Sequence, residues 1–168
     1  LAYNYSHLFK ERFDLAIHEI INHDETKTGS VNHRLSFWSN SLKMIPERLF
    51  FGTGIGDLPE DFNKFVGDSS ATKMAPSSDV MIFHHPHNQY LYEFVSFGLF
   101  GFAIFVWLFY SLIKQLFYLD EHQKKISTAF LLLFLTIMVT DSYLLNVDFC
   151  LLFVLLVAML WQPRVTVS

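Results

Sequence analysis

The stretch "HHPHNQYLYEFVSFGLFGFAIFVWLFYSLIKQLFYL", residues 84–119, passes from three histidines and an asparagine directly into an apolar run. From Phe94 to Leu119 it carries one charge, Lys114. As a helix this part is about 39 Å long, enough to cross the hydrocarbon core of a bilayer with some tilt. The chain of 168 residues is 52% hydrophobic, with 19 Phe, and its mean hydropathy is +0.31. That is too apolar for an ordinary soluble domain. Most of the charge lies in residues 10–93, whereas residues 94–161 are nearly continuously apolar.

The second apolar run, Ile126–Trp161, is about 54 Å as one helix and far too long for a single crossing. The segment "TDSYLLNVD", 140–148, interrupts it and predicts a hairpin of two short helices. The expected fold is mainly α: a polytopic membrane fragment with a helical outer loop followed by three transmembrane helices. Residues 1–93 form the loop region, 94–119 the first span, 120–125 a short loop, 126–161 the transmembrane hairpin and 162–168 a tail. Lys114, Lys124 and Lys125 lie between spans one and two, and Arg164 follows span three. Both places fall on one side, which the positive-inside rule makes cytoplasmic. Residues 10–93 then face outwards. The chain opens on Leu1, and we read it as a piece of a longer protein.

The net charge of −4 and the lack of a basic cluster argue against nucleic-acid binding. A lone cysteine, Cys150, allows no disulfide within the chain. Within the outer segment, residues 6–22 carry Phe9, Phe13, Ile17, Ile20 and Ile21 at helical spacing. A second helix, about 33–45, carries Leu35, Trp38, Leu42 and Ile45 on one stripe, with Asn32 as its expected cap and Pro46 at its end. "GTGIG", 52–56, reads as a flexible turn, and 59–85 as a long loop over a site.

Pro86 suits the first turn of a helix and places His87 and Asn88 there too. In a continuous helix Gly98 lies about 20° from His87 and Gly101 about −40°, so the glycines share its face. Small residues there admit a packed helix or a lipid tail. A helix N-terminus attracts anions and favours the neutral imidazole that a general base needs. Arg34 offers a bidentate grip on phosphate. Plainer readings stand beside these. His87 is then an interfacial cap, Arg34 a surface cation, and Trp38 a core or interface anchor. Asp141 and Asp148 are polar ends of the hairpin. His84, His85 and His87 suggest a metal site, but no carboxylate stands at ligand spacing near them.

"HNQYLYEFVSFGLFG", 87–101, resembles the signature of the bacterial O-antigen ligase family and its polymerase relatives. That signature is a His followed by Asn, Ser or Gln, nine residues, Gly, two residues, then Gly, Thr or Tyr. His87, Asn88, Gly98 and Gly101 fill its fixed places. "RLSFW" and "LFFGTGIG" resemble the Arg-x-x-x-Trp and Gly-x-Gly-x-Gly elements upstream, with Arg34, Trp38, Gly52, Gly54 and Gly56 at the matching places.

The resemblance implies a multi-pass glycosyltransferase of the bacterial inner membrane, with residues 10–93 facing the periplasm. It implies an inverting enzyme without cofactor or metal, taking its glycan from undecaprenyl diphosphate. The acceptor hydroxyl is that of lipid A–core in a ligase, of another carrier-linked repeat in a polymerase, or of a protein in an O-oligosaccharyltransferase. His87 is then the catalytic base, Arg34 and Asn88 bind substrate, and Gly98 and Gly101 make room for a helix or polyprenyl chain. The family uses more than one arginine for the diphosphate, and neither Arg48 nor Arg12 has a secure counterpart. Two further classes remain: a glycan-binding scaffold or transporter fragment, and a metal sensor.

Overall fold

The computed structural model describes residues 6–21, 30–68 and 85–162. The described chain is mainly helical and contains no strand. Six α-helices follow in order: α1 (His7–Ile21), α2 (Ser30–Met44), α3 (Leu58–Asp68), α4 (Gln89–Gln115), α5 (Glu121–Ile137) and α6 (Val147–Leu160). Short 3-10 turns follow α2 and α4 and precede α6.

Within α1 no side chain is buried. Its Glu19 carboxylate accepts from the backbone N–H groups of Val31 and Asn32, at 3.0 and 3.3 Å. Those are orphan donors of the first turn of α2. A carboxylate from the preceding helix therefore does the capping expected of Asn32. Pro46 lies in the 3-10 turn Ile45–Arg48, where α2 stops.

The expected loop from Pro59 onwards is corrected over its first part, which is α3. Leu58, Phe62, Phe65 and Val66 repeat at helical spacing and join Met44 of α2 in a small core. Residues 69–84, and with them His84, lie outside the described residues, as do Arg164 and most of the 23–30 segment.

Helix α4 is not a straight rod. Gly98 adopts φ 65°, ψ −164° within it, a region open essentially to glycine alone. The rings of Tyr90 and Phe105 come within 5.9 Å of each other. In an unbroken helix their Cα atoms would be about 22 Å apart. The first arm, up to Phe97, thus folds over the second. It joins α2 and α3 through Tyr92 and Val95. The second arm packs Phe105, Phe109 and Leu112 against Leu131 and Phe134 of α5 and Phe153 of α6.

The three helices run alternately. Gln89 N–H donates to the Met138 carbonyl (2.9 Å) at one end, and Trp161 Nε1 donates to the Leu112 carbonyl (3.0 Å) at the other. Asp120 caps α5 and Asn146 caps α6. Among the described residues, Gln89–Tyr118 is the one helical segment long and apolar enough to cross a membrane. Its part after Gly98 is by itself about 30 Å. At 17 and 14 residues, α5 and α6 reach about 25 and 21 Å, short of a 30 Å hydrocarbon core. The turn from Met138 to Asn146 divides the apolar run and shortens both.

Gln89 ties the first arm to that turn. Only 1% exposed, it accepts from Leu144 N–H at 2.9 Å and donates to Glu93 at 2.8 Å. Gln89→Leu leaves the half-buried Leu144 N–H without its partner, at a cost of roughly 1 kcal/mol. The apparent melting temperature of the full-length protein in detergent is expected to fall accordingly. An unchanged melt would mean that the strap does not hold the arm.

Candidate active site

The site begins where α4 begins. Asn88 is the N-cap: its side-chain oxygen accepts from Leu91 N–H at 3.1 Å, the preferred way to satisfy a first-turn donor. The expectation that Pro86 opens the helix is corrected accordingly. The asparagine cap starts the helix at Gln89, and both Pro86 and His87 precede it. The Asn88 amide donates to the Val139 carbonyl at 3.2 Å. One side chain therefore caps α4 and holds it to the turn after α5.

His87 has φ +50°, the only positive φ at a non-glycine among the described residues. That conformation turns the chain sharply just before the cap. The His87 ring stacks against Phe37 of α2, with centroids 6.4 Å apart. Trp38 Nε1 donates to the Pro86 carbonyl at 2.9 Å, so the tryptophan holds the segment that carries the histidine. Arg34 lies one turn before Phe37 and Trp38 on the same face of α2. Its side chain is exposed.

Asp141 completes the group. Its Oδ1 lies 3.1 Å from His87 Nδ1 and accepts from Ser142 N–H at 2.7 Å. Both side chains are a little over a third exposed, and hence reachable by a substrate. With Nδ1–H donating to the carboxylate, the Nε2 lone pair remains to accept a proton. The carboxylate also stabilises the imidazolium formed when it does so. His85 stands beside the pair: its ring is 4.3 Å from that of His87, and its Nδ1 is 3.7 Å from Asp141 Oδ1. A cleft of about 370 Å³, lined by His85, Asp141, Ser142, Tyr143 and Asn146 among others, opens next to them.

By sequence alone Asp141 is a polar hairpin end, and no carboxylate stands at ligand spacing from the histidines. Fifty-four residues separate Asp141 from His87, and only the return of α5 unites them. The one available signal was a carboxylate inside an otherwise apolar run.

The two glycine elements meet each other. Thr53 N–H donates to the Val95 carbonyl and Gly54 N–H to the Ser96 carbonyl, both at 2.9 Å; Leu99 N–H donates to the Leu49 carbonyl at 2.8 Å. The 49–54 turn therefore lies in the break of α4 and satisfies the groups that the break frees. A Cβ on Gly52 would lie 2.4 Å from Ser96 backbone atoms, and one on Gly98 2.4 Å from those of Phe50. Two expectations are corrected here. The turn is pinned rather than flexible, and what approaches Gly98 is this turn rather than a helix or a lipid chain. The alignment of Gly98 and Gly101 with His87 also lapses, because it assumed one unbroken helix. A Cβ on Gly101 would meet the Phe97 side chain of the same helix. Arg48 pairs with Asp61 at 3.1 Å, lining a separate cleft with Lys64 and Thr53.

A family model described as O-Antigen ligase matches residues 1–106. The chain belongs to the O-antigen ligase family. No curated protein matches it. The family match spans α1 to α3 and the first two thirds of α4, including His87, both glycine elements and Arg34. Asp141 lies beyond it. Membership carries membrane association and a glycosyltransferase activity of O-antigen ligase or polymerase type.

Proposed function

We propose that the protein moves an O-antigen-type glycan from undecaprenyl diphosphate to an acceptor hydroxyl, most favourably that of lipid A–core. The observation that carries this reading is the His87 Nδ1–Asp141 Oδ1 contact of 3.1 Å, in a half-open site at the capped start of α4. His87 Nε2 removes the acceptor proton as the oxygen attacks the anomeric carbon. Asp141 fixes the ring and balances the charge it gains. Arg34, on the face of α2 that carries Phe37 and Trp38, grips the departing diphosphate. A single displacement inverts the anomeric carbon, and no step calls for a metal or other cofactor. Polymerisation onto another carrier-linked repeat, or transfer to a protein hydroxyl, uses the same chemistry with a different acceptor.

The topology fits a lipid-borne donor. Lys114 and Lys124 stand over the rings of Tyr110 and Phe117, at the end of the bundle opposite His87. With that end cytoplasmic, His87 faces the periplasm. Exposed Phe100, Ile104 and Trp107 on α4, with Leu151 and Leu155 on α6, offer apolar surface to lipid or further helices. All three helices α4 to α6 then belong to a multi-pass membrane unit.

In a strain lacking the parent gene, lipopolysaccharide gels separate the alternatives. Bare core points to a ligase, and core with one repeat to a polymerase. Asp141→Asn is expected to lower turnover about 10²-fold or more, with little change in donor KM, because it removes the orientation of the base rather than substrate contacts. Steady-state transfer by the purified full-length protein measures it. A raised KM at unchanged turnover would assign Asp141 to binding instead.

A further inference from the structure

His85, His87 and Asp141 bring three metal-ligating side chains together, with one donor atom from each lying within 4.8 Å of the others. Two of the separations carry geometric information: 3.1 Å from His87 Nδ1 to Asp141 Oδ1, and 3.7 Å from His85 Nδ1 to the same oxygen. Zinc binds imidazole nitrogen and carboxylate oxygen at about 2.0–2.2 Å in tetrahedral sites, so neighbouring ligand atoms lie about 3.3–3.5 Å apart. The two observed separations bracket that edge.

The donors are also in suitable states. His85 Nδ1 accepts from the His87 backbone N–H at 3.4 Å, a contact that goes with a lone pair on that nitrogen, as a metal ligand needs. That contact is long and weak and yields readily to a metal bond. The carboxylate supplies the negative charge. The adjoining cleft, with Ser142, Tyr143 and Asn146 in its wall, gives entry from solvent. Two imidazoles and one carboxylate select zinc and its neighbours over magnesium or calcium, which prefer all-oxygen sites.

We propose that this cluster is an inhibitory binding site for a divalent transition metal such as Zn²⁺, which switches off the proposed base by changing its tautomer. The inhibition rests on the reading of His87 as that base; the binding does not. In the metal-free state His87 carries its proton on Nδ1, bonded to Asp141, and presents the Nε2 lone pair. A metal on Nδ1 displaces that proton to Nε2. No proton leaves the imidazole and none is gained, yet the nitrogen facing the acceptor now bears hydrogen and cannot take another. Asp141 is drawn to the metal at the same time and no longer orients the ring.

The test uses purified full-length protein in nanodiscs, freed of metal by chelation, and has two arms. In the first, Co²⁺ alone is titrated in and visible absorption is followed. Wild type is expected to bind one equivalent per chain with the intense bands of a tetrahedral site. His85→Ala and His85→Gln, the latter keeping an acceptor for the His87 N–H, are expected to bind more weakly by over about tenfold, since losing a ligand exceeds the effect of losing an outer-shell partner. In the second, Zn²⁺ is expected to suppress wild-type transfer at least tenfold, reversibly with chelator, and to leave each His85 variant near its own metal-free rate. Cobalt bound without stoichiometry, or equally by wild type and both variants, overturns the site. Equal zinc inhibition of all three overturns the mechanism and points to metal on the donor diphosphate. Should the protein transfer no glycan at all, the proposed function fails while the cobalt arm still decides the site.

Discussion

His87→Ala in the full-length protein is expected to abolish the long-chain lipopolysaccharide ladder that the wild-type gene restores to a deletion strain. A positioned general base contributes about 10²–10⁴-fold to a rate, and a loss of that size removes the ladder from a gel. The fold should survive. His87 is more than a third exposed, and its contacts are one ring stack, one hydrogen bond to Asp141 and the neighbouring His85 ring. Its left-handed backbone, φ +50°, costs an alanine about 1–2 kcal/mol. His87→Asn provides the control, because asparagine tolerates that conformation but cannot act as the base. Both variants are expected at wild-type level in the membrane and without ladder. If either restores the ladder in full, the base lies elsewhere and the proposed mechanism falls.

Gly98→Ala is expected to have the largest effect on folding. Two costs coincide there. The φ 65°, ψ −164° conformation is closed to alanine, and the new methyl would meet the Phe50 backbone at 2.4 Å. Backbone cannot swing aside as the end of a side chain can. Either the 49–54 turn leaves the break or α4 straightens, and each exposes unpaired N–H and carbonyl groups. We expect a loss above about 4 kcal/mol and little full-length protein in the membrane. Gly56→Ala is the comparison. Gly56 also has positive φ, but a Cβ there meets nothing within 4 Å, so only the conformational cost of about 1–2 kcal/mol applies. Membrane abundance and thermal melts in detergent measure both. Equal behaviour of the two variants would show that the insertion of the turn into α4 contributes no stability.

These two positions divide between what the residues say alone and what they say only when folded. Helical character, the apolar run after Phe94, the interruption near 140–148 and the short motif of His87, Asn88, Gly98 and Gly101 were all legible, because apolar spacing and short motifs are local properties. The family followed from those same residues. Helix α3 was legible too and was missed: Leu58, Phe62, Phe65 and Val66 keep a helical period behind Pro59, which reads as a breaker although proline is well placed in a first turn.

The sequence by itself determined that the chain is helical, that the run after Phe94 is apolar enough to cross a membrane, and that a histidine-asparagine pair stands just before the apolar helix. Only the tertiary structure decided that Asn88 rather than Pro86 starts that helix, that Gly98 breaks it so that a second glycine turn enters, and that Asp141 faces His87. The reason is physical in each case. A left-handed glycine and a carboxylate partner take their meaning from backbone or side chains 47 to 54 residues away. Spacing along a helix describes neighbours three and four residues apart, and it fails once the helix is cut.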